Sequence, residues 1–168
     1  MATAVVVSVP EEADFIDDGG GEVAFLEAPE LEEIVADLVE RHERFAHLAE
    51  LTVRCLWRRK GAAERGKVVF GTCQKPSGLL RHFTDCDFLV LLNADACRDY
   101  GLASARIESV VYHELLHAGR DEKGRPVLRP HDFEGFLAEI AEYGLWRGDL
   151  KVVGRSVRQL PLAEELEA

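Results

Sequence analysis

Cysteine is scarce in this chain and never paired in sequence. The four cysteines, Cys55, Cys73, Cys86 and Cys97, form no C-x-x-C pair. That spacing excludes a zinc-finger or thioredoxin-type motif and predicts free thiols acting as small buried hydrophobes. Positive charge is also short. Lys and Arg number 20 against 31 Asp and Glu, for a net charge of -11. Such a balance argues against binding nucleic acid or an anionic membrane through the surface at large, because both require positive potential. A local basic patch stays compatible with it. The longest apolar run, around residues 88–92, is far too short to span a bilayer. No secretory signal pattern opens the sequence, no internal repeat runs through it and no basic tail closes it. These absences predict a cytoplasmic protein in a reducing compartment, in a bacterial or phage-infected cell, with no membrane partner and no strong nucleic-acid signal.

What remains is an ordinary globular mixture, 47% hydrophobic and 30% charged over 168 residues. That length suits one domain with a core of its own. Residues 1–28, with three consecutive glycines and a run of acids, read as a flexible acidic arm. Residues 29–150 read as the domain and 151–168 as a tail. A helix is expected from Pro29 to Ala49, where Leu31, Ile34, Leu38, Phe45 and Leu48 recur at helical spacing. LTVRCLWR (51–58) and KVVFGTC (67–73) read as two strands of a hairpin around a glycine-containing turn. KPSGLLRHF (75–83) reads as a loop or short helical turn. DFLVLLN (87–93) is a third strand, whose unbroken apolar centre calls for cover on both faces. A helical turn follows at 94–100, then an amphipathic helix over 104–119 ended by Gly119. DEKGRPVLRP reads as a connecting loop with a short strand at Val127 and Leu128, and a last helix is expected over 132–146, with Asp132 as its N-cap. The fold class is α+β: a mixed or antiparallel sheet of about three strands packed on an N-terminal, a central and a C-terminal helix.

The central helix carries the chemistry. In VVYHELLHAG, His113 and His117 lie four residues apart with Glu114 between them. Four residues is about one helical turn, so both imidazoles can offer a nitrogen to one point. Neutral imidazoles suit zinc. A carboxylate beside the ion can take a proton from the water it binds and deliver it to a leaving amine. Two ligands and a general base thus fit in five residues. A catalytic zinc needs a third protein ligand and an open fourth position. His131 in PHDFEGF is the first candidate, with Asp132 and Glu134 as alternatives or as carboxylates supporting an imidazole N–H. Tyr112 and Tyr143 are candidate hydrogen-bond donors to an oxyanion, though such tyrosines more often simply pack. His42, His47 and His82 read as ordinary, partly exposed residues.

Taken in order, DFLVLLNADA, VVYHELLHAG and PHDFEGFLAEIAEYGLW resemble the phage-type metallopeptidases, small zincin domains of bacteria and their viruses. The resemblance covers about residues 30–147. The sequence is also similar to the wider SprT-like zinc metallopeptidases, in which a third histidine follows in an H-x-x-E-F setting. Here His131-Asp132-Phe133-Glu134 matches the first four positions, and Gly135 intervenes before Phe136. The resemblance implies a zincin-like domain that binds Zn2+ and hydrolyses peptide bonds in a protein or peptide substrate. It further implies a strand bordering the cleft that holds an extended substrate by backbone pairing, a role that would fall to 87–93. The competing expectation is an inactive zinc-binding interaction module of a phage or mobile-element system. A closed coordination shell would mark the module and an open position the enzyme.

Overall fold

The computed structural model of the chain describes residues 5–15, 23–60, 66–132, 137–145 and 148–158. Its centre is a mixed sheet of four strands: β1 (Ala24–Glu27), β2 (Val53–Arg59), β3 (Gly71–Gln74) and β4 (Phe88–Asn93). They lie in the order β1-β2-β4-β3. β1 is antiparallel to β2, β2 is parallel to β4, and β3 is antiparallel to β4. The fold is therefore α+β with a mixed sheet, with one strand more than the sequence suggested. The expected hairpin of β2 with β3 does not form, because β4 lies between them. The physical reason is in β4 itself. Phe88, Val90, Leu91 and Leu92 are all buried, and a strand this apolar is best placed where both edges are paired. The shorter, more polar GTCQ segment takes the edge instead.

Side-chain alternation sends Cys55 and Trp57 of β2 and Phe88, Val90 and Leu92 of β4 to one face. Two helices cover that face. α1 (Pro29–Arg41) buries Leu31, Ile34, Val35 and Leu38. It is fastened to β2 by its first-turn acids, since Glu30 accepts the Trp57 indole N–H at 2.6 Å and Glu32 accepts the Cys55 N–H at 3.1 Å. The helix stops at Arg41, short of the expected Ala49. His42 is extended, and Glu43–Leu48 continue as a tighter 3-10 turn that drives Phe45 and Leu48 into the core. α2 (Gly78–Thr84) and α3 (Ala94–Asp99) flank β4 in sequence, and α4 (Ser104–His117) is the second covering helix. All four cysteines are free, and Cys55, Cys86 and Cys97 are buried.

The segment read as an acidic arm is not loose where it is described. Val7 and Phe15 join the core, and residues 24–27 form β1. Ser104 fixes the segment at both ends of one residue: its hydroxyl accepts the Val7 N–H at 3.0 Å and donates to the Val7 carbonyl at 3.3 Å. Sequence patterning misses this because the anchoring residues are few and their partners lie nearly a hundred positions away.

After α4 comes a small hairpin, β5 (Ala118–Arg120) and β6 (Pro126–Leu128). By contacts the chain divides into residues 1–129 and 130–168. The second part carries α5 (Leu137–Tyr143) and α6 (Gly148–Arg158), where one helix and a tail were expected. Gly144 makes the break. It adopts φ +67, a left-handed conformation that suits glycine, and its N–H closes on Ile140 O at 2.9 Å. Leu145 then fills the space that a Cβ on Gly154 would occupy. Among the described residues no helix is long and apolar enough to cross a membrane.

Candidate metal centre

α4 decides where each side chain of the motif goes. At about 100° per residue, Ile107, Val111, Glu114, Leu115 and Ala118 fall within one stripe. All five are buried. His113 and His117 fall on its flank, His113 exposed and His117 half-buried. Their rings lie 5.3 Å apart, edge to face. The glutamate of the motif thus belongs to the core-facing side of the helix and the two histidines to the border with solvent.

The hairpin beyond the helix brings the third histidine. Arg129, the residue after β6, meets His117 twice: its N–H donates to the His117 carbonyl at 2.8 Å, and its own carbonyl lies 2.7 Å from His117 Nδ1. A carbonyl only accepts, so Nδ1 carries the proton and Nε2 is left as the metal-facing lone pair. The turn between β5 and β6 is tied by Asp121. Its carboxylate accepts the N–H groups of Lys123 and Arg125, each at 2.9 Å, and the Arg125 guanidinium at 2.7 Å. Those bonds hold the Asp121 carboxyl below its ordinary range. On the other side, His47 Nε2 donates to the Ala118 carbonyl at 2.8 Å. Two residues beyond Arg129 is His131. His113, His117 and His131 each offer a ring nitrogen, and these atoms lie within 4.8 Å of one another. Closing round an ion at ~2.1 Å per bond requires each ring to move by less than about an ångström. Three imidazoles, one already in the required tautomer, are a donor set that fits a transition-metal ion.

Glu114 is 4% exposed and lies under β3. A Cβ built on Gly71 would come within 3.0 Å of both Glu114 Cγ and Oε1. The carboxylate accepts the Cys73 N–H, which lowers its pKa, as does the neighbouring His117. Burial outweighs both and pushes the carboxyl up to about 7. β3 can offer that N–H because of its parity. The Asn93 N–H bonds the Phe70 carbonyl at 2.8 Å, so Phe70, Thr72 and Gln74 turn their backbone groups toward β4 while Gly71 and Cys73 turn theirs away.

The other candidates fall as follows. Asp132 is exposed, and its expected role as a helix cap turns on residues 133–136, Glu134 among them, which lie outside the described residues. Tyr112 packs edge to face on His42 and Phe45, with ring centres 5.3 and 5.1 Å away, and Tyr143 is exposed. The strand 87–93, expected to border the cleft, is β4, paired on both sides; the edge beside Glu114 is β3. Sequence reasoning passed over three contributors: Gly71, the Arg129 backbone and His47. Only Gly71 left a trace, as a glycine inside an apparent strand, which often marks a close backbone or side-chain approach.

No curated protein and no solved structure matches the chain. One family does, and its match runs from residue 23 to residue 160, taking in both covering helices, the whole sheet, the hairpin and the three histidines. On that match the chain belongs to the family described as Putative phage metallopeptidase.

Proposed function

We propose that this chain is a zinc-dependent metallopeptidase of the zincin type, with His113, His117 and His131 as ligands and Glu114 as general base. The observation that carries the proposal is the convergence of three imidazole nitrogens within 4.8 Å beside a buried carboxylate. Zinc, when bound, polarises a scissile carbonyl and acidifies a water in its open position. The chain supplies the rest. Glu114 takes the proton of the attacking water and passes it to the departing amine, held for both transfers by its burial on α4 under β3. The Arg129 carbonyl keeps His117 in the tautomer that presents Nε2. The outward N–H and carbonyl of Gly71 and the outward carbonyl of Cys73 let an extended peptide join the sheet edge next to Glu114, whose carboxylate already takes the Cys73 N–H.

The test is direct. Zinc content is measured in the wild type and in Glu114→Gln, and both are assayed on an unfolded protein substrate. The expected result is equal zinc in the two proteins and a loss of about 10²–10⁴-fold in kcat for the variant. Equal zinc with no hydrolysis by the wild type would leave a metal site without the enzyme.

A further inference from the structure

α2 is built with its apolar side out. Leu79, Leu80 and Phe83 are 74%, 47% and 78% exposed. Leu79 and Phe83 stand one turn apart on the same face, and Arg81 points the opposite way. It is Arg81 that reaches back to the protein, forming an ion pair with the buried Asp87. Asp87 in turn accepts the Thr52 N–H at 2.9 Å, so the polar side of α2 is tied to the sheet. The start of the helix is capped by Ser77, whose hydroxyl accepts the Leu80 N–H. An ordinary surface helix buries its apolar stripe and exposes its charges. An inverted one, fixed in place, marks a contact surface.

Chain connectivity indicates what the surface contacts. α2 begins four residues after β3 ends, and β3 is the edge whose outward backbone adjoins Glu114. Gly78 stands five positions after Cys73. At ~3.3 Å per residue that is at most about 16 Å, the reach of some five residues of an extended peptide. A polypeptide added to the β3 edge and continuing about five residues past its C-terminal end has the length to reach Leu79 and Phe83.

We propose that the Leu79–Leu80–Phe83 face of α2 is the specificity surface of the proposed peptidase, taking a large apolar side chain of an extended substrate within about five residues of the scissile bond. The substrate class is then unfolded polypeptide with exposed apolar segments. This inference rests on the peptidase proposal, and the experiment separates the two. Zinc-loaded wild type and a Leu79→Ser/Phe83→Ser double variant are compared on two otherwise identical quenched peptides, one with Leu or Phe and one with Ser at positions flanking the cleavage site. Binding of both peptides to zinc-loaded Glu114→Gln, with and without the two serine substitutions, is measured by fluorescence anisotropy. The wild type is expected to prefer the apolar peptide by at least about tenfold in kcat/KM, the double variant to lose that preference, and the Glu114→Gln pair to show the same loss in binding. Zinc content and Tm should not change, because the two residues are exposed. A preference that survives the double substitution overturns the inference. So does loss of self-association, or loss of binding to phosphatidylcholine vesicles, as the only effect of the substitutions. No cleavage together with α2-dependent binding in the Glu114→Gln pair defeats the peptidase proposal and leaves a peptide-binding surface; no cleavage and no binding defeats both.

Discussion

At the scale of single residues, Gly71 and Glu114 act as a pair. Glu114 is buried on the core side of α4, and the room for its carboxyl exists because residue 71 has no side chain. Gly71→Ala places a methyl 3.0 Å from Cγ and Oε1. The same methyl comes 3.1 Å from Val110 Cγ1, so the Glu114 and Val110 side chains of α4 must give way, and the carboxylate leaves its place. The expected result is retained zinc, little change in KM and a fall in kcat of about 10²-fold, consistent with the cost of misplacing a catalytic group by an ångström. Unaltered kcat in Gly71→Ala would show that Glu114 does not act from this position. The same burial sets a pH dependence in the metal-free protein. The folded pKa of about 7 lies above the ordinary 4.5, so the contribution to stability is complete below pH 4.5 and is lost as pH rises through 7. A shift of that size is on the order of 3 kcal/mol. Metal-free Glu114→Gln, neutral at every pH, should therefore match the wild type near pH 4 and exceed it above pH 7, as read by denaturant midpoints at constant m-value. Equal midpoints at pH 8 would mean that the carboxylate is well solvated.

Among the elements, the β5–β6 hairpin matters most to the site, and the sequence showed only part of it, a short strand at Val127 and Leu128 that is β6. Its strands have three residues each, and β5 with its pairing stayed unread because no period of two can be established over so few positions. By contrast, α4 and β4 were legible, one from its helical stripe and the other from its unbroken apolar run. The pairing of β3 was not, because the choice between β2 and β4 as neighbour is made by burial across the whole sheet and not by the turn that follows β2. The same division holds for the site. His113, Glu114 and His117 are fixed by spacing on one helix, whereas the approach of His131 depends on the Arg129 backbone and a turn held by Asp121. Asp121→Ala removes three of that turn's hydrogen bonds. It should weaken zinc affinity by about tenfold, the lower end of what supporting contacts contribute at metal sites, while the four-stranded sheet keeps its stability. Chelator competition measures the first and thermal unfolding of the metal-free protein the second. Affinity at the wild-type level would show that His131 is held in place without the turn.

For the molecule as a whole, a metal bound at the proposed site would be coupled to the fold. Two of the ligands sit on the helix that covers the sheet, and the third follows a hairpin that begins where that helix ends. An ion bound by all three would tie the end of α4 to the segment that follows the β5–β6 hairpin, and would do so only in the folded chain. Ligand that binds the folded state alone raises stability by RT ln(1 + [L]/Kd), about 2.7 kcal/mol at one hundred times Kd. For a chain of this length that corresponds to a rise in Tm of roughly 5–10 °C, allowing ~2–4 °C per kcal/mol. Imidazoles bind metal only when unprotonated, so the increment should shrink on acidification. The sign is opposite to that of Glu114 alone, whose carboxyl favours the fold in acid. The two effects can be separated by recording Tm against pH with and without zinc in the wild type and in His131→Ala. The wild type should gain Tm with zinc at pH 8 and gain little at pH 5. With one ligand removed, His131→Ala should lose most of the gain at pH 8 while its metal-free Tm stays close to that of the wild type, since residue 131 is exposed. A full zinc-dependent rise in His131→Ala would remove the third imidazole from the metal site and, with it, the geometry on which the peptidase proposal stands.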